Sequence, residues 1–167
     1  MFSVNEILDL AIRIEKNGEN AYRRAMEEIN ESELTVLLEW MADEEINHAN
    51  WFANLKDSIE TAFANPFVEE MSRELFNDLL GEKSFSHKDV DFSNVQSTKE
   101  LISIFIEFER DTVIFYEVLA PFIEDEGTLE NLKRIIAEEN NHIRQLQEFL
   151  QAEAERPSER IMSNRFL

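Results

Sequence analysis

A chain of 167 residues, 43% of them hydrophobic and thirteen of them Phe, carries enough apolar side chains for one domain with a sizeable core. Its formal charge of −20 opposes binding to nucleic-acid phosphates or anionic lipid surfaces, and the absence of Cys excludes disulfides, Cys-ligated zinc and rubredoxin-type iron. Three Gly and three Pro are too few for a loop-rich or all-β architecture and predict an all-α fold.

From about Val4 to Ile29 the residues Ile7, Leu8, Ala11, Ile14, Ala21, Tyr22, Ala25 and Met26 recur at helical spacing, with Ser3 or Asn5 as the cap. Asn30-Glu31-Ser32 forms a short turn, and Ser32 is placed to cap a second helix. The inner stripe of that helix runs through Leu34, Leu37, Leu38, Met41, Glu45, His48, Trp51 or Phe52, and Leu55. So short a turn makes the two helices antiparallel neighbours. Asn65-Pro66 then interrupts the pattern, PFVEEMSRELFNDLLG reads as a shorter helix ended by Gly81, and EKSFSHKDVDFSNVQ reads as an ordered crossover in which His87 is a solvated histidine.

Ser97 or Thr98 caps a third helix through Leu101, Ile104, Phe105, Phe108, Glu109, Thr112, Phe115, Tyr116 and Leu119, closed by Pro121 and Asp125-Glu126-Gly127. Thr128 is the expected cap of a fourth, with Leu132, Ile135, Ile136, Glu139, His142, Ile143, Leu146 and Phe149 on one side. The domain is expected to occupy residues 1–155, followed by a tail at 156–167 without clear period that reads as a frayed terminus, the alternative being that Ile161, Met162, Phe166 and Leu167 with two Arg dock on a partner. The first residues lack the basic and apolar regions of a signal peptide and no long apolar run occurs, so a cytoplasmic location is the default expectation.

The chemistry lies in a repeat. Glu45 and His48 form a Glu-x-x-His motif thirty residues after Glu15, and Glu139 and His142 form another thirty residues after Glu109. Sliding the chain on itself by ninety-four residues superposes Ile12, Glu15, Tyr22, Ile29, Leu38, Glu44, Glu45, Asn47 and His48 on Ile106, Glu109, Tyr116, Ile123, Leu132, Glu138, Glu139, Asn141 and His142. Positions i and i+3 share a helix face, so each motif aims a carboxylate and an imidazole into one space. One Glu from each of two helices and a Glu-x-x-His from each of the others is the ligand set of dinuclear carboxylate sites in four-helix bundles.

Four carboxylates buried together require protonation or cations, and two divalent ions cancel four negative charges. Glu45 and Glu139 are placed to bridge, with Glu15 and Glu109 as terminal ligands. This oxygen-rich set with one imidazole per metal suits iron or manganese, with zinc also compatible; magnesium or calcium would usually do without the His. Tyr22 and Tyr116 stand seven residues after the terminal Glu on nearly the same faces. They read equally as tyrosines that assist oxidant chemistry and as core residues with satisfied hydroxyls. Glu44 and Glu138, one residue before the motif carboxylates, read as solvated or as hydrogen-bonded behind the ligands.

AIRIEKNGENAY, MADEEINHA, FIEFERDTVIFY and IAEENNHIRQL, spread over about residues 4 to 152, resemble the four helices of the rubrerythrin branch of ferritin-like di-iron proteins. The resemblance implies a ferritin-like antiparallel four-helix bundle, often a homodimer, with a long crossover between the second and third helices. It also implies two irons, held by Glu15, Glu45, His48, Glu109, Glu139 and His142, that reduce hydrogen peroxide or oxidise Fe(II) with O2 or peroxide. Two departures stand out: no Cys is available for a rubredoxin unit, and Thr112 stands where the resemblance implies a further carboxylate. Electrons would therefore come from an external donor such as a separate rubredoxin or a reductase. The alternatives are a ferritin-like iron-storage or iron-handling protein and a metal-stabilised interaction module.

Overall fold

The computed structural model of the chain describes residues 4–29, 31–58, 92 and 95–155. Among these, four α-helices account for nearly all the chain: α1 (Val4–Glu28), α2 (Ser32–Ser58), α3 (Thr98–Leu119) and α4 (Glu126–Glu155), with a 3-10 turn at Ala120–Phe122. The expected short helix, His87 and the tail at 156–167 fall outside the described residues.

Side-chain pairs fix the helix directions. Arg23 of α1 bonds Asp43 of α2 while Lys56 of α2 reaches back to Asp9 of α1, so the two run antiparallel, as their short connection requires. Tyr22 of α1 meets Glu109 of α3 and Tyr116 meets Glu15, which makes α1 and α3 antiparallel as well. His48 of α2 meets Glu139 of α4, and Glu45 meets His142. Thus α1 and α4 point one way, α2 and α3 the other. Consequently α2 ends and α3 begins at opposite ends of the bundle, the condition that a long crossover satisfies.

Local chemistry sets the ends of the second helix pair. Of the two expected caps for α3, Ser97 takes the role: in extended backbone it accepts from the Glu100 amide at 3.2 Å, while Glu100 accepts from the Gln96 amide at 2.9 Å. The cap of α4 corrects the sequence reading. Asp125, not Thr128, caps it by accepting from the Thr128 amide at 2.7 Å, so Glu126 and Gly127 belong to the first turn of α4 and do not close α3.

The core forms two apolar clusters. One gathers Ile7, Leu8, Ile14, Phe52, Phe115, Leu119, Leu132 and Ile135; the other gathers Ala21, Ala25, Leu34, Leu38, Met41, Ile102, Phe105 and Leu146. Phe52 is thus the inward member of the Trp51-Phe52 pair. Each large side chain removed from water contributes about 1.5–3 kcal/mol, so these clusters are what can hold a polar layer between them. That layer consists of Glu15, Glu45, His48, Glu109, Thr112, Glu139 and His142, none more than 3% exposed.

Candidate metal centre

All six residues singled out by the repeat converge in this layer. Glu15 projects from α1, Glu45 and His48 from α2, Glu109 from α3, and Glu139 and His142 from α4. They fall into two overlapping groups, Glu15-Glu45-His48-Glu139 and Glu45-Glu109-Glu139-His142, in each of which one ligand atom per residue lies within 4.8 Å of the others. Glu45 and Glu139 belong to both. The carboxylate of Glu139 spans the centre, with Oε1 2.8 Å from His48 Nδ1 and Oε2 3.0 Å from His142 Nδ1. Glu15 Oε2 lies 3.6 Å from His48 Nδ1, while Glu45 Oε1 and Glu109 Oε1 lie 3.5 and 3.7 Å from His142 Nδ1.

These atoms are close without being aligned for hydrogen bonds. Glu15 Oε2, Glu45 Oε1, Glu109 Oε2, both oxygens of Glu139 and Nδ1 of both His have no hydrogen-bond partner although buried. Burying so many polar atoms without an aligned hydrogen bond costs free energy that the close His–Glu charge pairs offset only in part. Cations between the two groups remove that cost, since carboxylate oxygens and neutral imidazole nitrogens are then ligands rather than orphans. The donor set fits two divalent transition-metal ions.

The metal-free cluster balances itself with protons. Burial, then the charges of Glu139 and Glu15, raise Glu45 well above the ordinary carboxylate range, and burial with Glu139 does the same to Glu109. Burial disfavours a charged imidazole at His48, but Glu139 and Glu15 outweigh it and push the ring up to about 12. His142 is raised likewise by Glu109, Glu139 and Glu45 against its burial. Glu139, despite burial, is held below the usual range by the two imidazoles.

The tyrosines take up a crosswise arrangement. Tyr22 donates to Glu109 Oε1 and Tyr116 to Glu15 Oε1, so each phenol serves the terminal Glu of the other repeat half. Glu15 thereby keeps Oε2 for the His48 side, whereas Glu109 Oε1 both takes the Tyr22 hydrogen bond and lies 3.7 Å from His142 Nδ1, with Oε2 left unpaired. Burial, then the charge of Glu15, raises the Tyr116 hydroxyl well above its ordinary value, so it stays a proton donor. Behind His48, Nε2 lies 2.9 Å from Glu138 Oε2, so the ring donates there and, once a bound cation displaces the Nδ1 proton, would present that nitrogen's lone pair to the cluster. Glu44 lies in the same outer group with His48 and Glu138.

Sequence reasoning passed over Trp40, whose ring stands edge-on to His142 at 5.2 Å. Its counterpart in the other half is Arg134, whose Nε lies 4.0 Å from Glu138 Oε1. Trp40 shares the face of Glu44, and that spacing was the available signal. Thr112 is buried in the layer but turns its hydroxyl back to the Phe108 carbonyl at 3.1 Å.

An up-down-down-up bundle with a buried Glu/His cluster at mid-height defines a ferritin-like protein, and the cluster is its candidate metal site. The rubrerythrin family model matches residues 6–150, and the chain belongs to that family. Among solved structures, a ferritin-like diiron-carboxylate protein from Thermotoga maritima is similar at a TM-score of 0.63 and 28% identity, over 88% of this chain and 93% of that one. No curated protein gives a significant match. Among the described residues, no helix is long and apolar enough to cross a membrane.

Proposed function

We propose that this chain is a di-iron oxidoreductase, reacting with hydrogen peroxide or O2 in the manner of a rubrerythrin-like peroxidase or ferroxidase and serving in protection against oxidants. The observation that carries this reading is the sharing of Glu45 and Glu139 between two ligand groups, each completed by its own Glu and His. Glu15 and His48 would hold one ion, Glu109 and His142 the other, with Glu45 and Glu139 between them. Family membership and the diiron-carboxylate neighbour favour iron over manganese or zinc. When bound, two irons supply the pair of electrons that reduces the oxidant.

The surrounding residues prepare the site for that exchange. The two apolar clusters above and below keep bulk water out, which strengthens every electrostatic interaction in the layer. Tyr22 and Tyr116 hold protons at Glu109 and Glu15, within reach of any oxygen species that needs one. Glu138 keeps the His48 ring oriented from behind. Reduction back to the starting state would draw on a separate rubredoxin or reductase, and the working unit proposed is a cytoplasmic homodimer.

Anaerobic loading with Fe(II), followed by elemental analysis, should give two irons per chain. Stopped-flow mixing of that protein with peroxide and, separately, with O2 should show rapid oxidation that Glu45→Ala or Glu139→Ala abolishes. One ion or none at saturation would sink the dinuclear reading; unchanged oxidation in either variant with both irons retained would sink the assignment of the bridges.

A further inference from the structure

Gly18 sits in the interior of α1, one turn beyond Glu15 and one turn before Tyr22, at a position where glycine is a poor choice for a helix. Helix geometry does not demand it. Its counterpart under the ninety-four-residue repeat is Thr112, a β-branched residue that the same place on α3 accommodates while fully buried. The demand is local: a Cβ at residue 18 would lie 2.9 Å from Cε1 and 3.2 Å from Cζ of Phe108, and 3.3 Å from the carboxyl carbon of Glu45. The α1 backbone is therefore a wall against which both the Phe108 ring and the Glu45 carboxylate rest. Phe108 is itself only 4% exposed and packed into an apolar cluster, so the ring has little room to withdraw.

We propose that Gly18 is a positioning residue for the metal centre, its missing side chain forming a notch that seats Phe108 and fixes the pose of the Glu45 carboxylate. The inference rests on the reading that Glu45 lies between two ions. A methyl group in the notch meets the Glu45 carboxyl carbon, whose Oε1 lies 3.5 Å from His142 Nδ1. Relief by moving the carboxylate by a few tenths of an ångström shifts the one ligand of α2 shared by both groups, and productive sites are held to within about 0.5 Å. The other half carries Ile14 and Thr112 at the equivalent positions, so the two bridging carboxylates are held by different neighbours.

Cobalt(II) is the probe, because its d–d absorption reports coordination geometry without turnover. The parent, Gly18→Ala, Phe108→Leu and the double variant would each be titrated with Co(II), and their metal-free melting temperatures measured. The parent should bind two Co(II) ions. Gly18→Ala should weaken the second ion about tenfold and alter the d–d band, in line with the loss of affinity when a residue that orients a ligand is changed. Phe108→Leu in the same chain should restore the melting temperature by freeing the notch of the ring, yet leave affinity and spectrum displaced from those of Phe108→Leu alone. A double variant with the affinity and spectrum of Phe108→Leu would overturn the proposal and leave Gly18 as a packing residue, as would a Gly18→Ala protein indistinguishable from the parent. A parent that fails to bind two ions would instead overturn the underlying dinuclear reading, and this inference with it.

Discussion

Raising the pH should destabilise the metal-free protein, and the buried cluster sets the scale. The folded chain keeps protons on Glu45 and Glu109, through burial and neighbouring charge, that an unfolded glutamate gives up near 4.5. It also keeps one on His48, pushed up to about 12 from 6.5 by Glu139 and Glu15 against its burial. A group whose folded pKa is raised contributes stability that is complete below the unfolded value and is lost as pH climbs toward the folded one. Glu139 is shifted downward and is ionised in both states above pH 5.5, so it leaves this window unaffected. Each proton held by the folded state alone costs about 1.4 kcal/mol of stability per pH unit. Counting His48 alone, a rise from pH 7 to pH 8.5 removes about 2 kcal/mol, or about 4–8 °C in Tm for a chain of this size. Bound ions replace those protons and bind more tightly as pH rises, so the gain in Tm from metal should widen over the same interval. Thermal melts followed by circular dichroism, with chelator and with Fe(II) or Co(II) under anaerobic conditions, measure both slopes. A chelated protein whose Tm stays level or rises between pH 7 and pH 8.5 would refute the reasoning.

Tyr22→Phe and Tyr116→Phe each strip a buried carboxylate of its hydrogen bond and should cost about 1.5–3 kcal/mol in urea denaturation of the metal-free protein, while two ions are still bound at saturation. Glu138→Gln should weaken binding about 10- to 100-fold in competition titrations with a chromophoric chelator, because His48 loses the carboxylate that orients its ring. Phe105→Ala removes a fully buried ring packed 4.6 Å from that of Tyr22, and about 3–5 kcal/mol of stability should go with it. Equilibrium denaturation checks the size, and metal content should remain at two ions.

The repeat made the buried Glu/His cluster legible in the sequence alone. Glu15, Glu45, His48, Glu109, Glu139 and His142 occupy helix positions whose spacing is set by 3.6 residues per turn, and periodicity is a property of the chain itself. Relations between helices were not readable in the same way. That Tyr22 serves Glu109 and Tyr116 serves Glu15 depends on the antiparallel register of α1 against α3, which no local pattern encodes. The spacing placed each tyrosine near the face of its own glutamate, and packing then gave it to the other. Glu138 was open between solvent and the back of a ligand, and only the approach of α2 to α4 decides the matter. Gly18 was visible as a lone helix-interior glycine, but its reason lies in a ring on α3 and a carboxylate on α2. At the start of α4, Asp125 and Thr128 compete as caps three residues apart, and the backbone chose the acid.

Each ligand group borrows one carboxylate from the opposite hairpin: Glu139 completes the set of Glu15, Glu45 and His48, and Glu45 completes the other. A lone α1–α2 hairpin could therefore not enclose an ion, whereas two copies related by a twofold axis would supply all six ligands and both tyrosines. Having both halves in one chain frees them from identity. With both copies in one chain, the residue behind one imidazole could become Trp40 and its twin Arg134, and the residue beside one bridge Gly18 and its twin Thr112. A symmetric pair is denied that freedom, because every substitution there strikes both metals at once.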